Sequence, residues 1–339
     1  MPNLSFAAAW AIFPLAAVCS LVASTGLVSR LDRLAGSFGL PEALLGLVVA
    51  LGADSPEITS AITASAEGHR TVGTGVVVGS NVFNIAALLG LSALVAGSVR
   101  LHRRVVLFDG VAAAWVALAT LLALLARLGA ATGLVLVLLV VVPYVVISAA
   151  PRGRFLERCI PRGTLRWLAV AVAEEEADLK AVLGYQHGRP VQTKDVVAAL
   201  TGLGAVVLAS AVMVTSAQSL GSHYGVPQLV LGGVVLAAVT SLPNAVGAVY
   251  LAIRGRGAAV LSEAMNSNML NVVAGLFLPG MFVGIGASGK EGTLVAGWYL
   301  GMTVLVVLMA FGSGGLRRVQ GATIVVAYAG FVAVAIAVG

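Results

Sequence analysis

Ten windows of nearly unbroken apolar residues follow one another along the chain, at about 5–28, 40–67, 71–97, 105–126, 131–149, 193–220, 227–253, 257–284, 291–312 and 319–338. Each is bounded by charged or Gly/Pro-rich breaks. Each is long enough to cross a hydrocarbon core of about 30 Å as a helix. Backbone polar groups must be satisfied internally in lipid, so the pattern predicts an all-α polytopic membrane protein with ten transmembrane helices. The first window has no basic residue ahead of it and no small residue directly before Cys19. It reads as a retained span and not as a signal peptide.

Composition agrees. Of 339 residues, 59% are hydrophobic and only 10% charged, against about 25% charged in soluble domains. Mean hydropathy is +1.03. These figures exclude a soluble globular enzyme, a disordered chain and a disulfide scaffold. The net charge of +6 resembles a nucleic-acid cue, but its distribution points elsewhere. Seventeen of the 20 Lys and Arg fall in alternate connections: Arg30 and Arg33; Arg100, Arg103 and Arg104; eight between 150 and 194; Arg254 and Arg256; Arg317 and Arg318. Only Arg70, Arg127 and Lys290 fall in the others. Basic connections stay in the cytoplasm. The expected topology therefore places both termini outside an inner (plasma) membrane, with the large 150–192 loop inside. No nucleic acid and no obligate protein partner is implied; the lipid bilayer and inorganic cations are the expected partners.

The central loop carries Glu174-Glu175-Glu176-Ala177-Asp178. A cation sensor is one reading. Contiguous carboxylates on a helix point in different directions, which favours a short solvated helix. Cys19 and Cys159 have neither disulfide nor zinc spacing.

A repeat runs through the polar positions. Gly39-Leu40-Pro41, Gly52-Ala53-Asp54-Ser55-Pro56-Glu57 and Gly79-Ser80-Asn81-Val82-Phe83-Asn84 match Gly225-Val226-Pro227, Val239-Thr240-Ser241-Leu242-Pro243-Asn244 and Asn266-Ser267-Asn268-Met269-Leu270-Asn271, the second and third pairs at one common offset of 187. Five spans separate the copies, so the two must sit in the membrane with opposite orientation. Inverted repeats mark secondary transporters, whose ion sites lie where helices are interrupted near the midplane. The expected organisation is a first five-helix repeat at 1–149, a cytoplasmic loop at 150–192 and a second five-helix repeat at 193–339.

Pro56 and Pro243 fall near the middle of spans two and seven. A mid-helix proline frees the carbonyl one turn earlier, and that carbonyl is a ligand for Na⁺ or Ca²⁺. Ser80 and Asn84 share a helix face, as do Ser267 and Asn271. Asp54 and Glu57, three apart, share another. An intramembrane carboxylate is costly and functional by default. No Lys or Arg falls within a span to pair with these two, which leaves a cation or a proton.

These residues resemble the cation/Ca²⁺ exchanger superfamily, and within it the sodium/calcium exchanger family in its prokaryotic form. The resemblance covers the α-repeats at about 39–97 and 225–284. It implies ten spans in two inverted repeats, and transported Ca²⁺ and Na⁺ with no resident cofactor. By position it implies ligands at Glu57, Ser80 and Asn84, and at Thr240, Ser241 and Ser267. It also implies two gating helices, the glycine-rich spans one and six, sliding across a fixed core. The chain departs from the family pattern. Ala53-Asp54 stands for a Thr-Ser, Asn244 for a glutamate and Asn271 for a frequent aspartate. Asn244 and Asn271 remain neutral oxygen ligands. Both core carboxylates then come from one repeat. Glu263, one turn before Ser267, is either a third carboxylate or a vestibule residue. Asn81 and Asn268 either ligate ions or cap broken backbone.

The function expected is secondary cation antiport, most directly Na⁺/Ca²⁺ exchange, with proton-coupled exchange as the alternative. No ATP-binding P-loop is present. An intramembrane enzyme is remote. Gly312-Ser313-Gly314-Gly315 resembles a serine-protease loop, but no histidine lies within a span. His69, His102, His187 and His223 all fall in or beside connections, and Asp109 and Glu67 are expected at span ends. A broken-helix site argues against a passive channel.

Overall fold

The computed structural model describes residues 6–37, 42–125, 127–149, 161–180, 192–286 and 290–338. The first repeat motif's Gly39–Pro41, together with Cys159 and His187, lies outside the described residues. Helices α1 (Phe6–Ser37), α2 (Glu42–Ala53), α3 (Ser55–Ala66) and α4 (Arg70–Ala96) open the chain. Strand β1 (Ser98–Arg100), α5 (Arg103–Leu124), α6 (Ala130–Ala149) and α7 (Arg162–Lys180) follow. Then come α8 (Thr193–Tyr224), α9 (Gln228–Ile253), α10 (257–283), α11 (Lys290–Ser313), β2 (Gly315–Arg317) and α12 (Arg318–Val338).

The surface is apolar where lipid would lie. Val22, Leu139, Leu208, Val246 and Phe282 are exposed, whereas Asp54, Glu57, Ser80, Asn81 and Asn84 are buried. Among the described residues, eight helices are long and apolar enough to cross a membrane. Of the expected spans, the second is divided into α2 and α3, and the eighth is α10, which carries Ser262, Glu263, Asn266, Ser267, Asn268 and Asn271. Both fall short of the ordinary span signal because of the polar residues and breaks that interrupt them.

The elements recur at the 187-residue offset that also separates Asn81 from Asn268. α1 and α8 are each 32 residues long. The helix ends repeat in detail. His69 N–H donates to Ala64 O at 2.8 Å and Arg256 N–H to Leu251 O at 3.0 Å. Gly68 and Gly255 hold the turns between with φ of 91° and 75°, a region open to glycine at no steric cost. α1 and α8 run antiparallel. Phe6 stacks on His223 at one end of the pair, and Arg30 and Arg33 reach Asp195 at the other. Midway, the hydroxyls of Ser20 and Ser210 meet at 3.1 Å. This pair lies along α2 and α3 and only grazes α9.

Three long helices contain a widened, π-type turn: Ile85–Leu91 in α4, Leu231–Leu236 in α9 and Asn271–Phe277 in α10. Such turns often accompany functional sites, and those in α4 and α10 begin at the asparagines of the repeat. α4 crosses the start of α9 at glycines: a Cβ on Gly79 would overlap the Gly233 backbone. Small residues permit this close approach.

Two expectations are corrected. Asp109 is not interfacial: it lies seven residues into α5, fully buried, and accepts from the Tyr144 hydroxyl at 3.1 Å. α7 is not solvated all round, since Leu165, Leu168, Ala171 and Val172 form a buried face against α2, α5 and α10. The Ser313 hydroxyl donates to Met309 O and Gly315 O where α11 turns into β2. The ribbon pairing β1 with β2, Val99 opposite Leu316, was not expected.

Candidate cation site at a broken helix

Asp54 is the single residue between α2 and α3, at φ −78° and ψ −5°. Pro56 falls in the first turn of α3, where a missing N–H has no helical partner to lose. The carbonyl four residues before it belongs to Gly52. That carbonyl accepts from Ser55 Oγ at 2.6 Å and from Ser24 Oγ of α1 at 3.0 Å. The freed carbonyl, expected as a cation ligand, is therefore capped by two hydroxyls.

The break brings Asp54 and Glu57 onto one face, both 0% exposed. Asp54 Oδ1 accepts from Asn244 Nδ2 and from Ser267 Oγ, each at 2.7 Å. Glu57 Oε2 accepts a short bond from Asn271 Nδ2, and Ser241 lies against the same carboxylate. Every one of these donors belongs to the second half of the chain, α9 or α10. Asn84 Nδ2 joins the halves again through Ser267 Oγ at 3.1 Å and Asn268 Oδ1 at 3.2 Å.

Asn81 and Asn268 form a reciprocal clamp. Each amide donates to the other's backbone carbonyl at 3.1 Å. Their side-chain oxygens accept from Asn271 and Asn84, so amide and oxygen of both are engaged in hydrogen bonds here. Ser80 stands one turn from Asn84 on its face of α4. Thr240 is buried and donates back to Leu236 O and Ala237 O. Ala53 offers only its carbonyl, 3.4 Å from Ser24 Oγ. Glu263 stands a turn away from this network, facing Gly247.

Neither carboxylate has a Lys or Arg partner among the described residues; Arg30 and Arg33 pair instead with Asp195, between α1 and α8. Around the two carboxylates, seven buried oxygens remain without a hydrogen bond: Asp54 Oδ2, Glu57 Oε1, Ser80 Oγ, Asn84 Oδ1, Ser241 Oγ, Asn244 Oδ1 and Asn271 Oδ1. Buried polar oxygens without partners are costly, and two carboxylates among them are more so. Carboxylate, amide and hydroxyl oxygens together form the donor set of a hard cation such as Na⁺ or Ca²⁺. Among the described residues, no three His, Cys, Asp or Glu side chains come together as a metal cage. A cation here would rest on two carboxylates and neutral oxygens.

Sequence reasoning missed Ser24 and Tyr299. Ser24 caps the break from α1. Tyr299 of α11 is fully buried with its hydroxyl toward Asn81. A polar residue in an otherwise apolar span is the signal that marks each.

The fold and the site define an integral membrane protein with buried carboxylates at a helix break, the architecture of a secondary transporter. The profile of the sodium/calcium exchanger protein family matches residues 8–149 and 194–337, and the chain belongs to that family. It is 25% identical over 319 residues to CaxA of Alkalimonas amylolytica, named as a candidate antiporter, covering 88% of this chain and 90% of that one. It is 27% identical over 267 residues to the inner membrane protein YrbG of Escherichia coli K12, covering 75% and 74%. Its fold is that of the sodium-calcium exchanger NCX_Mj, solved after soaking with 10 mM Na⁺ and no Ca²⁺. The TM-score is 0.59 at 19% identity, over 96% of this chain and 98% of that chain.

Proposed function

We propose that the chain is a secondary cation antiporter that exchanges Na⁺ for Ca²⁺ by alternating access to the Asp54–Glu57 site. The observation that carries this is the pair of fully buried carboxylates with no Lys or Arg partner among the described residues, surrounded by unpartnered amide and hydroxyl oxygens from both halves. Two negative charges balance one Ca²⁺ or two Na⁺, the condition for exchange at a shared site. Glu57, Asp54, Ser80, Asn84, Asn244 and Asn271 are the ligand set, with Thr240, Ser241 and Ser267 lining it.

The recurrence of elements at 187 residues and the antiparallel α1–α8 pair support ten spans in two inverted repeats. The alternation of basic connections supports a plasma-membrane topology with both termini outside and the 150–192 loop inside. α1 and α8, bound to each other at both ends, are the layer that slides. They lean here on α2 and α3.

The test is Ca²⁺ uptake into proteoliposomes driven by an outward Na⁺ gradient. Wild type accumulates Ca²⁺, and Glu57→Gln loses exchange by about 100-fold or more, the scale for removing one of two charges from a desolvated site. Unchanged exchange in Glu57→Gln sinks the site assignment. Ca²⁺ flux indifferent to Na⁺ at constant pH turns the reading to proton coupling through the same two carboxylates.

A further inference from the structure

Asn244 and Gly247 share one face of α9, a turn apart, and Ser267 and Glu263 share one face of α10, a turn apart. Asn244 and Ser267 meet on Asp54. The next rung of the same ladder is Gly247 with Glu263. A Cβ on Gly247 would lie 3.4 Å from Glu263 Oε1, so the carboxylate rests against the bare glycine backbone. The rungs are separated by about 5 Å, one helical turn.

The oxygens at this rung are unspent. Glu263 Oε2 is buried without a hydrogen bond, as are Asp54 Oδ2 and Asn244 Oδ1. Asn244 is only 3% exposed, and its amide nitrogen is committed to Asp54. Its Oδ1 is thus the free end of a fixed group. Asn266 repeats the arrangement: its nitrogen is held on Ser262 Oγ at 3.0 Å and its Oδ1 is unpartnered. Glu263 is near enough to interact with the Asp54 charge and makes no ion pair with Lys or Arg among the described residues.

Position gives the cluster a direction. Glu263 lies between the Asp54 rung and the α9–α10 connection. It is half-buried, where Asp54 and Glu57 are sealed. The residue 187 positions earlier is Val76, fully buried and apolar. One flank of the central site is therefore lined with oxygen and the other with valine. The α1–α8 pair lies mainly along α2 and α3 and touches α9 only lightly.

We propose that Glu263, with the free oxygens of Asp54, Asn244 and Asn266, forms a second cation subsite one helical turn from the central site, on the side of the α9–α10 connection. A hard cation pauses there before it passes to the Asp54–Glu57 pair, with Asp54 shared between the two positions. This rests on the antiport reading for its role in transport, but its occupancy does not.

Two measurements on the full-length protein test it, with Ca²⁺ as the probe. Equilibrium binding in detergent should show two Ca²⁺ events in wild type. Glu263→Gln loses the weaker and keeps the stronger, whereas Glu57→Gln loses the stronger. In proteoliposomes of one orientation, Glu263→Gln raises the half-saturating Ca²⁺ by about tenfold on the α9–α10 side and not on the other. Glu263→Asp restores most of the loss. One Ca²⁺ event in wild type, or a shift equal on both sides, overturns the proposal. If Glu57→Gln exchanges normally, the central assignment fails while the binding count still decides the second subsite.

Discussion

Pro56 and Pro243 stand at equivalent places, 187 residues apart, yet their helices respond differently. The first is divided: α2 stops at Ala53 and α3 starts at Ser55, with Asp54 between. The second runs on through Pro243, which remains inside α9. The chemistry divides along the same line. The broken helix holds both carboxylates, and the continuous one supplies Ser241 and Asn244. Where the backbone is interrupted, two hydroxyls from Ser24 and Ser55 compensate it. At the central site the first half carries the charge and the hinge, and the second half carries neutral donors that hold the charge in place.

The sharpest way to break this comparison is to move the charge across it. Asp54 Oδ1 and Asn244 Nδ2 are 2.7 Å apart. Asp54→Asn leaves two amides facing each other and removes one of two negative charges. Exchange should fall by about 100-fold, the scale of about 2.7 kcal/mol. Adding Asn244→Asp restores the donor–acceptor pair in reverse and should recover exchange to within about tenfold of wild type. A double variant as inactive as the single would show that the carboxylate must stand on the broken helix, and that total charge is not what counts. Na⁺-driven Ca²⁺ uptake measures both.

The prolines themselves give the next largest effect. Pro56 lies in a first helical turn and costs its helix little, so Pro56→Ala should leave the melting temperature in detergent nearly unchanged. It supplies an N–H that competes with Ser24 and Ser55 for Gly52 O, straightens the hinge, and should slow exchange by about tenfold. Pro243 sits inside a helix, where proline costs up to about 3 kcal/mol. Pro243→Ala should raise the melting temperature and disturb exchange less. Equal responses from the two variants would erase the distinction between the halves.

Much of this was legible before the structure. Helix ends fall within a few residues of the apolar windows, except that α1 runs on to Ser37. The repeat showed which faces carry Ser80 with Asn84 and Ser267 with Asn271. It could not show which oxygen meets which. The contact between Asn271 and Glu57 joins residues 214 apart, and only packing decides that Asp54, not Glu57, receives Asn244. Asp109 was misplaced because its partner, Tyr144, lies on the next helix, where no periodicity reports it. The β1–β2 ribbon has three residues per strand, too few for an alternating pattern to stand out. The buried face of α7 rests on four small or aliphatic residues in a basic and acidic segment, whose composition reads as solvated. Glu263 was singled out, as either a third carboxylate or a vestibule residue, but Gly247 opposite it could be found only in the structure.

The smallest effect tests whether the cap on the break is part of the moving contact. Ser24 is buried on α1 and donates to Gly52 O at 3.0 Å, across the surface where α1 would slide. Its equivalent on α8 is Ala211, which has no hydroxyl to offer, so the tie exists on one side only. A neutral hydrogen bond of this kind is worth about 1 kcal/mol, and about 0.6 kcal/mol is usual between membrane helices. If the bond forms in only one of two access states, Ser24→Ala shifts their ratio by about three- to fivefold, since 1.4 kcal/mol is tenfold. Ser55 still caps the carbonyl, so the fold survives. The signature is opposite changes in apparent Ca²⁺ affinity on the two faces of the membrane, with stability nearly constant. A uniform loss of stability with no change in sidedness would make Ser24 a cap for the broken helix and nothing more.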